Sequence, residues 1–139
     1  MRLFVIGIIT AMRLVFTPSH PAAQVFFSEL PTWSSIRAGN TQSVALGDVD
    51  LDGDLDLVCG NLYATLYENS SGALLESPVW VSEPDFAEDV CLGDIDGDGD
   101  LDLVCGNDGQ NTLYENTGGT FSDAPVWRSP PTTTSSVAL

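Results

Sequence analysis

Residues 44–61, VALGDVDLDGDLDLVCGN, return at 90–107 as VCLGDIDGDGDLDLVCGN, 46 positions further on. TLYENSSG at 65–72 returns as TLYENTGG at 112–119, with an offset of 47. Trp33, Trp80 and Trp127 close three versions of one segment, FSELPTW, LLESPVW and FSDAPVW, and are again 47 apart. QSVAL at 42–46 is restated by SSVAL at 135–139. A chain written this way must fold as stacked copies of one small unit, because a unit of this length cannot bury its apolar faces alone.

The period of 46–47 residues is the length of a β-propeller blade and too long for most paired-helix repeats. SVAL, LDLVCG, TLYEN and PVWV are short, rich in β-branched and aromatic residues, and separated by Gly, Asn, Asp, Ser and Pro. No ten-residue segment carries a helical apolar stripe. The expected fold is therefore all-β, with blades of four antiparallel strands. In LDLVCG the apolar residues run on, which predicts a strand covered on both faces. The expected organisation is a leader over residues 1–23, a partial blade over 24–41, blades over 42–88 and 89–134, and the start of a further blade at 135–139. Two blades do not close a ring, so a fragment of a larger propeller is expected. Remaining blades in cis, or self-association, would cover the open faces.

The chain carries 20 acidic and 4 basic residues, a formal net charge of −16. Nucleic acid is excluded as a partner, since little is available to neutralise phosphates. Half of the 20 acids lie in the two repeated loops, so the charge is local rather than a scattered solubilising surface. The N-terminus, MRLFVIGIITAMRLVFTPSHPAAQ, has Arg2, an apolar run from Leu3 to Met12 and small residues at Ala22 and Ala23. That is the build of a secretory signal peptide, although Pro21 makes the cleavage site imperfect. The run is too short and interrupted to span a membrane. A secreted, extracellular or cell-surface protein is expected.

Cys91 and Cys105 lie at equal distances either side of Asp98, so a symmetric hairpin would set them face to face and permit a disulfide. Burial of each as a small hydrophobe is the simpler reading. The one histidine, His20, falls in the leader, which leaves no Cys/His metal site.

The loops themselves carry the chemistry. Calcium takes six to eight oxygen ligands, and a tight loop supplies several from alternate residues. In DVDLDGDLD, Asp48, Asp50 and Asp52 stand at positions 1, 3 and 5, Gly53 at the sharp turn, and Asp54 at the position that offers a backbone carbonyl. Asp94, Asp96, Asp98, Gly99 and Asp100 repeat those roles. An EF-hand would close with Glu at position 12, where this chain has Cys59 and Cys105. Asp56 and Asp102, at position 9, close the shell early instead, and the chain continues as a strand. Without a cation, five carboxylates in nine residues repel one another. One Ca2+ per loop, two in all, is the expectation, and a structural role rather than a catalytic one.

DVDLDGDLDLVCGN and DIDGDGDLDLVCGN, followed by LYENSSG and LYENTGGTF, resemble FG-GAP/VCBS-type repeats, the calcium-binding blades of integrin-α-like and bacterial secreted β-propellers. The resemblance covers about residues 27–139. It implies a propeller, commonly seven-bladed, with calcium held by Asp48, Asp50, Asp52 and Asp56, then by Asp94, Asp96, Asp98 and Asp102, plus the carbonyls of Asp54 and Asp100. The Phe-Gly and Gly-Ala-Pro phrases of the repeat's name are absent, so the likeness is to the bacterial-style branch.

The expected function is a non-catalytic, calcium-stabilised module for adhesion, surface display, or protein or glycan binding. The alternative is the propeller portion of a larger extracellular enzyme, such as a polysaccharide-degrading one, with its catalytic residues beyond residue 139. A third possibility is association of several copies. Glu68 and Glu115 read as turn residues, and Glu83, Asp85, Glu88 and Asp89 as a solvated loop. The three tryptophans are expected to pack between blades rather than to line a glycan surface.

Overall fold

The computed structural model describes residues 31–37 and 39–138. The leader at 1–23, His20 and most of the FSELPTW segment lie outside the described residues. Among the described residues all regular structure is β. Strands β1 (Ser43–Gly47), β2 (Asp56–Gly60), β3 (Thr65–Tyr67) and β4 (Trp80–Val81) pair in that order as one antiparallel sheet. Strands β5 (Ala87–Gly93), β6 (Asp102–Gly109), β7 (Thr112–Tyr114) and β8 (Trp127–Arg128) repeat it, and β9 (Thr132–Thr133) pairs with the far end of β6. These are two four-stranded blades of the propeller type.

Local chemistry sets the meander. The Asp loops reverse the chain between the first and second strands of each blade. A tight turn follows the third strand, where Ser71 and Gly72, then Gly118 and Gly119, take consecutive left-handed conformations. Such pairs suit the twist of a hairpin.

Side-chain alternation decides where the core lies. Ala45, Val58, Leu66 and Trp80 are cross-strand partners on one face of the first blade. Leu92, Leu103 and Tyr114 are partners on one face of the second, beside Val90 and Cys105. The two faces share one core, so the apolar interior lies between blades rather than within one. Trp80 sits at its centre, edge-on to Tyr114 at 5.0 Å and to Phe121 at 5.1 Å, with its Nε1–H donating to the Ser122 carbonyl at 3.3 Å. Each such aromatic pair contributes roughly 0.5–1.5 kcal/mol beyond area burial. Trp33 makes the same pair of contacts one blade earlier, edge-on to Tyr67 at 5.3 Å and donating to the Leu75 carbonyl at 3.1 Å. The expected packing role holds at both. Trp127 fills the same slot but is 51% exposed.

The hairpin is not symmetric about Asp98. Gly93 faces Asp102, which sets Cys91 opposite Val104 and Val90 opposite Cys105. A one-residue offset reverses side-chain direction, so Cys91 and Cys105 point to opposite faces of the sheet and the symmetric disulfide does not form. All three cysteines are free, and burial pushes the Cys105 thiol up to about 12.

The acidic run before the second blade is also more than a solvated loop. Arg128 pairs with Glu83 and with Asp85, the latter at 3.3 Å, and Asp85 accepts from Asn107 Nδ2 at 3.2 Å. Asp89 ties together three successive inner segments. Its carboxylate accepts from the Ser43 hydroxyl, from the Val137 N–H at 2.7 Å and from its own neighbour Val90 at 3.0 Å. The Ser43 bond first, then the Val137 N–H, hold its carboxyl below the usual carboxylate range.

A depressed folded pKa means stability that is complete above the ordinary carboxylate value and lost as pH falls through the folded one. Asp89→Asn should therefore lower stability by about 1–2 kcal/mol at neutral pH. In urea titrations of both proteins across acid pH, the difference should shrink to nothing as the wild-type carboxylate protonates.

Candidate metal centre

Each Asp loop is folded by its own carboxylates. In the first, Asp50 Oδ1 accepts the Asp52 N–H at 3.1 Å, Asp48 Oδ2 the Gly53 N–H at 3.1 Å, and Asp52 Oδ1 the Asp54 N–H at 2.9 Å. In the second, Asp94 accepts from Gly97 at 2.7 Å and Gly99 at 3.2 Å, Asp96 from Asp98 at 3.1 Å, and Asp98 from Asp100 at 2.9 Å. Short-range bonds from an Asp side chain to following N–H groups mimic turns, which is why alternate aspartates coil the chain so tightly. Gly53 and Gly99 adopt φ of 96° and 100°, as the sharp turn at position 6 requires. Position 4 is also left-handed, with Gly97 in one loop but Leu51, at φ 61°, in the other.

Asp56 and Asp102 behave differently from the rest. They are 1% and 2% exposed. Asp56 accepts the Val49 N–H at 2.9 Å on one oxygen and the Asn69 N–H at 2.8 Å on the other. Asp102 repeats this with Ile95 and Asn116, both at 2.9 Å. Each therefore joins the loop, the start of the second strand and the turn after the third.

The structure gathers part of the expected ligand set in each loop. Oxygens of Asp48, Asp50 and Asp56 lie within 4.8 Å of one another, as do those of Asp94, Asp96 and Asp98. Asp52 stands apart from the first group and Asp102 from the second. The side chain of Asp100 is engaged elsewhere, accepting the Gly118 N–H at 2.8 Å, and Asp54 joins neither group.

The donor set fits a cation. Asp48 Oδ1 is buried and accepts no hydrogen bond, although removing a carboxylate oxygen from water without a partner is costly. Loss of water first, then the charges of Asp52, Asp56 and Asp48, raise the Asp50 carboxyl above its usual range against the pull of the Asp52 N–H. At Asp96 the Asp98 N–H is the largest single influence and lowers it. Desolvation and the charges of Asp98 and Asp102 together outweigh that pull. Both loops thus hold carboxylates close enough to resist being charged together, and all-oxygen donors of this kind select a hard cation.

Comparison with known families gives the class. Residues 40–75 match the FG-GAP repeat, and residues 94–139 match the FG-GAP-like repeat. The chain carries FG-GAP-type repeats, and its sheets are blades of the propeller that such repeats form. No curated protein matches it.

Sequence reasoning missed Asn69 and Asn116, the last residues of the two YEN motifs. Their signal was the repetition itself: each supplies an N–H to the buried aspartate and a side-chain N–H to the carbonyl before it, Leu55 at 3.1 Å or Leu101 at 3.1 Å.

Two substitutions test this assignment. Asp56→Ala should cost about 3 kcal/mol in denaturant unfolding even in chelator, because two N–H groups lose a charged acceptor. Leu51→Gly, at an exposed left-handed position, should stabilise by roughly 0.5–1 kcal/mol in the same measurement.

Proposed function

We propose that this protein is a secreted, calcium-stabilised propeller module with a non-catalytic role in adhesion or ligand binding. Each loop takes one Ca2+: Asp48, Asp50 and Asp56 would hold the first, with Asp52 and the Asp54 carbonyl closing the shell. Asp94, Asp96 and Asp98 would hold the second, with Asp102 and the Asp100 carbonyl. The ion neutralises crowded carboxylates and fixes the hairpin between the first two strands of a blade.

The observation that carries this reading is the buried, unpartnered Oδ1 of Asp48, in a carboxylate group that no basic residue offsets among the described ion pairs. The ligand-binding part rests on the blade face turned away from the core. A depression of about 600 Å3 opens there, lined in part by Arg37, Asn61, Tyr63, Glu88 and Asp108, with the Arg37 guanidinium 5.6 Å above the Tyr63 ring. An aromatic face beside charged and neutral hydrogen-bonding groups suits a polar partner surface, protein or glycan.

Calcium binding to the folded state alone must raise its stability by mass action. Chelating it should lower the melting temperature by roughly 10 °C, and readdition should restore it. A melting curve indifferent to chelator and to added calcium would refute the metal reading.

A further inference from the structure

The two loops are near copies in sequence, yet the fold gives them different surroundings. Asp48 and Asp50 are half-buried, whereas their counterparts Asp94 and Asp96 are exposed; Asp56 and Asp102 are buried alike. Val49 is fully buried, while Ile95, its counterpart, is 45% exposed. The difference comes from the next blade. Asn116, itself fully buried, donates from Nδ2 to the Val49 carbonyl in the first loop at 2.8 Å and to the Leu101 carbonyl of its own blade at 3.1 Å. Its Oδ1 accepts the Gly119 N–H at 2.9 Å, which closes the turn. Gly119 then lies directly against Asp50: a Cβ there would stand 2.8 Å from the Asp50 Cβ and 3.0 Å from its Cα. Nothing but glycine fits between the turn and that aspartate without moving one of them.

We propose that the Asn116–Gly119 turn is a positioning element for the cation of the preceding blade's loop. It fixes the Val49 carbonyl and the Asp50 backbone from across the blade boundary. The first site therefore binds calcium more tightly than the second, and ion binding there is coupled to docking of the second blade. By linkage the coupling is reciprocal: the ion tightens the blade interface as much as the interface tightens the ion. The inference rests on the calcium reading and goes beyond it, since it makes two sites of nearly the same sequence inequivalent.

The test is calorimetric titration with calcium alone, in two single-site backgrounds of the full chain. Asp94→Ala/Asp98→Ala leaves the first site, and Asp48→Ala/Asp50→Ala leaves the second. Gly119→Ala is added to each. Gly118→Ala serves as the control, because Gly118 is also left-handed, at φ 63°, but a Cβ there meets nothing within 4 Å. Gly119→Ala should weaken the first site about tenfold or more relative to Gly118→Ala, and leave the second site within about twofold. Equal affinities for the two glycine variants at the first site would overturn the proposal, as would an equal loss at the second. Absence of calcium binding by the unsubstituted chain would instead remove the calcium reading itself.

Discussion

A buried carboxylate at the start of the second strand is the interaction on which each blade depends. Asp56 and Asp102 are nearly inaccessible, and each spends both oxygens on backbone N–H groups from segments far apart in sequence. One of those N–H groups belongs to the Asp loop and the other to the turn after the third strand. A single side chain thereby fixes the entry to the hairpin and the exit from the next strand. Hydrogen bonds to a charged acceptor are worth about 1.5–3 kcal/mol each, comparable with burying a large aliphatic side chain. That strength has a condition. The same charge sits beside the other loop carboxylates, and its neighbours are pushed toward their neutral forms. The clamp and the crowding are one arrangement, and the proposed cation would reconcile them.

The second constraint is that a blade has two apolar faces and no interior of its own. Trp80 shows how the repeat answers it: the residue ends one blade's sheet and fills the next blade's core against Tyr114 and Phe121. Trp33 stands in the same relation to Tyr67 without belonging to any strand. The aromatic contact is thus made with or without a strand at the tryptophan, while Trp127, within β8, is half exposed and belongs to none of the described aromatic pairs. Asp89 supplies a polar counterpart at the inner edge, where it joins Ser43, Val90 and Val137.

The blade architecture was legible in the sequence because the repeat supplied two independent copies of every signal. Strand positions, loop positions and the left-handed glycines at 53 and 99 all follow from residue type and spacing. Three things were not legible. The hairpin register differs by one residue from the symmetric guess, because the loop closes on the Gly93–Asp102 pair rather than about Asp98. The partners of Glu83, Asp85 and Asp89 come from Arg128, Asn107, Ser43 and Val137, contacts between units that no local pattern encodes. The gathering of loop oxygens also differs between copies, with Asp56 in one group and Asp98 in the other. Spacing names the candidate donors, but side-chain rotamers and the neighbouring blade decide which of them converge.

That last difference has a physical origin in the asymmetry of stacking. A face-to-tail array gives each inner unit a neighbour on either side, and a loop is shaped by the turn that packs on it. The first loop has such a neighbour in residues 116–119, which bury Val49 and abut Asp50. The Asn69 turn is built like the Asn116 turn, with its N–H on the buried aspartate and its side chain on the carbonyl just before it. Yet Asn69 Oδ1 is buried without a partner where Asn116 Oδ1 accepts from Gly119, and the turn carries Ser71 where the other has Gly118. Two turns of nearly one sequence therefore reach different degrees of satisfaction, and the better satisfied one is docked on a neighbouring loop. In an array of this kind, polar completion follows docking as much as sequence, and a loop's chemistry cannot be assigned from its own residues alone.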